Sequence, residues 1–210
     1  MTVELLGPER EDEVAGLVAH AFAQDPGYRW ASGAEGERHA RNVAALARAT
    51  VGIHCAGRFP ITAVVQEGAL AAVALFEPPG ASMPYVSGLR IALGLLARSG
   101  PAVTLRALRG VQVVEDLRPR ETHVYLPVIA VEARARGRGL ARALLEDLHA
   151  RCEAWASARG VALETANPMN VGLYEHLGYR VTRRVELDGR VPVWAMFRAR
   201  RDGAPAAAAR

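Results

Sequence analysis

Apolar positions recur at two different spacings along the chain, and the changes from one to the other mark its elements. Val14, Leu17, Val18, Ala21 and Phe22 repeat every three to four residues and predict one face of an amphipathic helix. A short strand over residues 3–6 and a Gly7-Pro8 break precede it. Glu9, Glu11, Asp12 and Glu13 fill its first turn, where the helix dipole favours negative charge, and residues 24–27 (QDPG) are expected to end it. Val43, Leu46 and Ala47 predict a second helix over residues 35–50, with Tyr28 and Trp30 in the connection. Residues 61–66 and 69–76 are continuous strand-like runs separated only by Glu67-Gly68, which predicts an antiparallel hairpin. After the Pro78-Pro79-Gly80 stop, helical spacing returns. Leu89, Leu93, Leu95 and Leu96, then Leu105, Leu108, Val111 and Leu117, predict a helix–loop–helix excursion within residues 81–121.

The stretch over residues 123–145 (HVYLPVIAVEARARGRGLARALL) organises the rest of the chain. Val124, Leu126, Val128 and Ala130 predict one apolar face of a strand, with Tyr125, Ile129 and Val131 on the other. A strand apolar on both faces belongs in the interior of a sheet. Pro127 conflicts with that position because it cannot donate to a ladder, so a bulge or a split in the sheet is expected there. Leu140, Leu144, Leu148, Cys152 and Trp155 predict a helix over 139–159, with Gly160 just past its end. A strand over 161–166 completes a right-handed βαβ unit. Asn170 is expected to cap a short helix over 171–177, and residues 179–187 and 191–197 to form a last hairpin across Asp188-Gly189. Residues 1–199 read as one domain and 200–210 as a disordered tail.

Composition changes this picture little. Half of the 210 residues are hydrophobic, which argues against global disorder. The net charge of +4 comes from 26 basic residues, every one an arginine, beside abundant alanine and glycine. That reads as a coding bias and not as a nucleic-acid surface. Two cysteines, Cys55 and Cys152, lack metal-ligand spacing and are expected to be reduced thiols of a cytoplasmic protein. No metal site is predicted. An acidic N-terminus and the absence of an apolar run near ~18 residues argue against a signal peptide and a membrane span.

Candidate chemistry sits in Arg134-Ala135-Arg136-Gly137-Arg138-Gly139, an R-x-x-G-x-G loop between strand and helix. Glycines allow close approach of a ligand to the backbone, and a helix start presents free N–H groups to an anion. A diphosphate is the expected guest, borne by a dinucleotide or by coenzyme A. Against a dinucleotide, Arg142 stands at the third glycine position and Glu132 to Arg136 separate strand from glycine.

At these residues the chain resembles the GCN5-related N-acetyltransferases (GNAT). The signature [Q/R]-x-x-G-x-[G/A] is met by Arg134, Gly137 and Gly139. A bulge that splays two strands would account for Pro127, and an Asn/Tyr helix is met by Asn167, Asn170 and Tyr174 in NPMNVGLYEHLGY. The likeness is specific over 122–198 and loose over 1–80, and 81–121 departs from the pattern as an insertion. It implies an α/β fold with a mixed, splayed central sheet, in the order strand–helix–helix–strand–strand–insertion–strand–helix–strand–helix–strand–strand. It implies acetyl-CoA as co-substrate, a primary amine of a small molecule as acceptor, and a homodimer as one assembly. Ile129, Ala130 and Val131 would pair with the pantetheine arm. Amides of Arg136, Gly137, Arg138, Gly139, Leu140, Ala141 and Arg142 would hold the diphosphate, and Asn167 or Asn170 would touch the cofactor arm. Tyr174 would be the general acid. Glu164, His123 and Tyr125 are the candidate bases, Glu164 because burial would raise its pKa toward the working range. A non-catalytic acyl-CoA-binding module and a dinucleotide-dependent oxidoreductase are the alternatives.

Overall fold

A computed structural model describes residues 2–82 and 85–201. The expected tail lies outside the described residues from 202 on. Arg200 and Arg201 are tied down: Arg200 N–H donates to Arg159 O (2.8 Å) and Arg201 N–H to Glu153 Oε2 (3.1 Å).

One seven-stranded sheet runs β1-β2-β3-β4-β5-β7-β6. Its strands are β1 (Glu4–Leu5), β2 (Ile61–Gln66), β3 (Ala69–Glu77), β4 (Val124–Val131), β5 (Gly160–Thr165), β6 (Arg180–Leu187) and β7 (Val191–Ala199). The predicted β2–β3 hairpin is present, and Glu67 and Gly68 take φ of 52° and 80° to make its tight turn. Among the described residues only β4 and β5 pair in parallel; the other five strand pairs are antiparallel. A doubly wound dinucleotide fold needs a run of parallel strands, so this sheet is of another kind.

Helices cover both faces. α1 (Glu11–Phe22) and α3 (Gly36–Ala56) lie on one, burying Val14, Leu17, Val18, Ala47 and Val51 against Val73, Leu75, Val128 and Ala130. α6 (Leu140–Ala154) lies on the other, packing Leu144, Leu145, Leu148 and Cys152 against Ala72, Ala74, Phe76, Val124, Leu126, Val161 and Leu163. The remaining helices are α2 (Pro26–Ser32), α4 (Tyr85–Ser99), α5 (Pro101–Leu117) and α7 (Pro168–His176).

The expected irregularity at Pro127 is present and does more than interrupt a ladder. Leu75 pairs with Val128 and Glu77 with Tyr125, so Leu126 and Pro127 together stand opposite Phe76. The extra residue reverses which side chains face which way. Val124 and Leu126 face α6, whereas Val128 and Ala130 face α1 and α3. The predicted single face of 124, 126, 128 and 130 is therefore split between two cores. On the β5 side, pairing runs from Val124↔Val161 to Leu126↔Leu163 and stops at the proline. Beyond it the two strands diverge.

Other boundaries differ for local reasons. The QDPG segment starts a helix as well as ending one. Asp25 Oδ1 accepts from the N–H of Gly27 (2.9 Å) and of Tyr28 (3.1 Å), and Pro26 occupies the first turn, so Tyr28 and Trp30 are helical. Asn167, not Asn170, caps α7, its Oδ1 accepting from Met169 N–H at 3.0 Å. Helix α6 ends at Ala154, and Gly160 opens β5. A Cβ at Gly160 would lie 2.3 Å from Arg198 O, so the glycine serves a close strand crossing and not a helix end. The insertion forms the two predicted helices but buries a different face. Leu95 and Val103 pack on Ala45 and Leu46 of α3, and Leu117 on Leu187 and Val193, whereas Leu89, Leu93, Leu96, Leu105, Leu108 and Val111 are exposed. No helix among the described residues is long and apolar enough to cross a membrane.

Candidate active site

Where β4 and β5 part, a cleft of about 400 Å³ opens. Its floor is the outer half of β4, with Tyr125, Pro127, Val128 and Ile129, and the end of β5, with Glu164 and Thr165. Helix α7 supplies Asn170 and Tyr174. Helices α2, α3, α4 and α5 wall it in. Trp30 Nε1–H donates to Asp188 Oδ2 (2.9 Å) and Arg109 Nε lies 3.1 Å from Asp188 Oδ1, so the tip of the β6–β7 hairpin joins α2 and α5 at one end of the cleft.

Glu164 holds the centre. Its Oε2 accepts from Tyr125 O–H at 2.7 Å. Burial raises its pKa to about 7; the Tyr125 hydrogen bond and Arg118 pull the other way without prevailing. A carboxyl group that gains and loses its proton near neutrality suits a general base. Burial, followed by the Glu164 charge, raises Tyr125 well above its usual value, so the phenol keeps its proton and stays a donor. The β4–β5 register, Tyr125↔Ala162, puts Tyr125 on the face of Glu164 two residues on, and the bulge turns that face to the side of Val128 and Ala130.

Arg118, at the end of α5, completes the cluster. Its Nη1–H donates to Glu77 Oε2 (2.8 Å) and its Nη2–H to Glu77 Oε1 (3.3 Å). Its Cζ stands 3.7 Å from the centroid of the Tyr125 ring. Its Nε is 3.1 Å from Glu115 Oε1, but off the line of a hydrogen bond, so that contact is charge–charge only. The pairing is mostly buried, with 18% and 9% of the Arg118 and Glu77 side chains exposed.

Tyr174 is buried and lines the cleft, its ring edge-on to Tyr179 at 5.6 Å. Burial, and secondarily the charge of Asp25, raises its pKa far above the usual tyrosine value. Tyr179 in turn bonds the buried His149, whose Nε2 is 2.9 Å from the phenol oxygen.

Beside the cleft, Gly137 and Gly139 take φ of 76° and 78°, a region costly for any residue with a Cβ. Gly139 is the N-cap of α6 and offers no side chain to the first N–H groups of the helix. Those amides, from Leu140 to Arg142, point out of the helix end. Arg138 and Arg142 are exposed, and Arg142 Nε–H donates to Glu146 at 2.8 Å; Arg136 reaches Ala21 O at 3.4 Å. The structure thus gathers Tyr174, Glu164, Tyr125, Ile129 and Asn170 around one cleft, with the glycine loop at the start of α6. Asn167 is engaged in capping α7. His123 is outside that lining: it borders a separate recess of about 190 Å³, and its Nδ1 lies 2.6 Å from Glu121 O.

Arg118, Glu77 and Asp25 do not stand out as site residues in the sequence. Glu77 has a readable signal, an acid closing an otherwise apolar strand, and Asp25 has one in its Asp-Pro helix start. Arg118 has none, because its role depends on how the insertion folds back.

The profile of the family described as "Acetyltransferase (GNAT) domain" matches residues 107–181, from the second half of α5 to the start of β6. The match covers the bulged strand, the glycine loop, Glu164 and Tyr174. Over those residues the chain is similar to the GNAT acetyltransferase domain. The fold is similar to those of solved acetyltransferases. It is similar to a structure described as "histone acetyltransferase HPA2 and related acetyltransferase" from Corynebacterium glutamicum, at 23% identity and TM-score 0.69 over 95% of this chain and 96% of that one. It is also similar to arylalkylamine N-acetyltransferase 2 from Aedes aegypti (13% identity, TM-score 0.63, 95% and 99% covered). A third is the ribosomal-protein-S18-alanine N-acetyltransferase from Escherichia coli (18%, TM-score 0.52, 95% and 93%). No curated protein matches the sequence.

Proposed function

We propose that the protein transfers the acetyl group of acetyl-CoA to the primary amine of a small molecule by direct attack on the thioester. The observation that carries this reading is the end of β4–β5 pairing at Pro127, which leaves Val128 to Val131 with an open edge toward β5. A pantetheine arm can pair with that edge as an added strand along Ile129, Ala130 and Val131. Its diphosphate then meets the glycine-opened amides from Arg136 to Arg142 at the positive end of α6. Asn170 lies beside the arm in the cleft.

An alkyl ammonium has a pKa of about 10 and is not a nucleophile until it loses a proton. Glu164 takes that proton, directly or through a water. The amine nitrogen forms its bond to the thioester carbon, and a β4 N–H near Val128 or Ile129 stabilises the oxyanion. The C–S bond breaks as the oxyanion collapses. Tyr174, held protonated by burial, donates a hydrogen bond to the departing sulfur. Full proton transfer from so weak an acid to a thiolate with a pKa near ~8.5 is uphill, so its contribution is as a donor. The nitrogen's second proton is lost to solvent as the adduct collapses; solvent supplies the thiol proton and receives the one held by Glu164, so one proton is released overall. The products are the amide and free coenzyme A.

Release of free thiol from acetyl-CoA across a panel of amines tests the proposal. Amine-dependent release with formation of the acetylamide is expected. Tight acetyl-CoA binding with no release for any amine would contradict it and leave a binding module in its place.

A further inference from the structure

The charged groups around the cleft are unbalanced. Asp25, Glu77, Glu115 and Glu164 line it, and Arg118 is its one lining Lys or Arg among the described residues. Arg118 is already charge-paired: Glu77 accepts from both terminal nitrogens, Glu115 flanks Nε without a hydrogen bond, and the Tyr125 ring covers one face. A carboxylate or phosphate on an acceptor would find the cleft's one lining arginine already paired with Glu77, and several like charges. Most of the other surroundings are apolar, including Phe22, Trp30, Ile91, Leu95, Leu108 and Val111. Transfer of a heavily hydrated, polyhydroxylated or polycationic body into such walls leaves its polar groups unpaired.

Asp25 is distinctive within this set. Its Oδ1 is used twice by the start of α2, and its Oδ2 has no partner among the described residues. It is near the reacting centre: its charge acts on Tyr174, and a Cβ placed on Gly27, two residues on, would be 3.4 Å from Ala166 Cβ, just past β5. Its backbone bonds keep the carboxylate fixed in direction.

We propose that the acceptor is a primary amine with an apolar, largely aromatic or aliphatic body and no anionic group, and that Asp25 Oδ2 draws its ammonium toward Glu164. The assignment rests on the acetyl-transfer reading and adds the substrate class and an acceptor-binding residue to it. Tyr28, Phe22 and Trp30 border the entry of α2 and give the cation aromatic faces to pass. The transferred proton still goes to Glu164.

Three acceptors test the class: 2-phenylethylamine, phenylalanine (the same body with a carboxylate) and spermidine. We expect kcat/KM for 2-phenylethylamine to exceed that of each of the others by about 100-fold or more. Asp25→Asn keeps the helix cap, since asparagine caps as well as aspartate, and is expected to raise KM for 2-phenylethylamine by about 10–100-fold with an unchanged Kd for acetyl-CoA. Equal turnover of phenylalanine or spermidine, or an Asp25→Asn enzyme with unaltered KM, overturns the inference while leaving acetyl transfer standing. Direct titration of the three amines into the protein reads the same preference without acetyl-CoA. Selective amine binding with no acetyl-CoA binding would overturn the acetyl-transfer reading alone.

Discussion

Glu164 ties activity and stability to the same proton. Its pKa of about 7 sets the pH at which the base becomes available, so kcat/KM is expected to rise with pH through about 7 and then level off until the acceptor or another group intervenes. The folded pKa lies above the ordinary 4.5, so the native state binds a proton that the unfolded chain has released. From this group alone, stability falls as pH rises from about 4.5 to about 7. Glu164→Gln keeps an acceptor for Tyr125 and removes the buried charge. It is expected to gain about 1–3 kcal/mol at pH ~7.5 by denaturant titration, and to lose at least about 100-fold in kcat. Tyr174→Phe removes one oxygen from the cleft; kcat is expected to fall about 10–100-fold in steady-state assays, with acetyl-CoA affinity nearly unchanged. Glu164 and Tyr174 were readable as candidates because an acid in an apolar strand and a tyrosine in an NPMNVGLYEHLGY segment stand out. The hydrogen bond from Tyr125 was not readable, because it depends on the register in which β4 pairs with β5.

The bulged strand and the glycine loop form one device at the scale of elements. Pro127 ends the pairing with β5, and the same extra residue puts Tyr125 on the face of Val128 and Ala130. Proline in an interior strand is a strong sequence signal, so the split was legible; the change of face it produces was not. Space around Gly137 is open, so Gly137→Ala is limited by its φ of 76°. It is expected to cost about 1 kcal/mol of stability and on the order of tenfold in acetyl-CoA affinity, by melting and titration respectively. The helix caps were harder to read. Asp25 in QDPG and Asn167 in NPMN each precede a proline, and both start helices by the same pairing of acid or amide with proline at the first turn. Reading such a dipeptide only as a stop loses α2, and with it the aromatic wall of the cleft.

In the whole molecule, the α4–α5 insertion makes an open crevice into a walled site. Among its polar anchors is Arg118, whose guanidinium binds Glu77 of β3 from the end of α5. Arg118→Met leaves the Glu77 carboxylate buried without a partner and is expected to cost about 3 kcal/mol in denaturant titration; adding Glu77→Met should restore most of it. On the proposed function, loss of this wall alone is expected to leave acetyl-CoA binding and remove acceptor discrimination. The sheet order and the βαβ unit were legible because strand and helix periods are strong there. The buried face of the insertion was not, because leucines occur around both helices and only packing on α3 chooses among them. Acetyl transfer at this site requires that the split sheet and the loop at the start of α6 receive acetyl-CoA. Isothermal titration measures this directly: acetyl-CoA should bind one per chain with a Kd in the micromolar range and NADH should give no heat of binding, whereas NADH binding with no response to acetyl-CoA would contradict it.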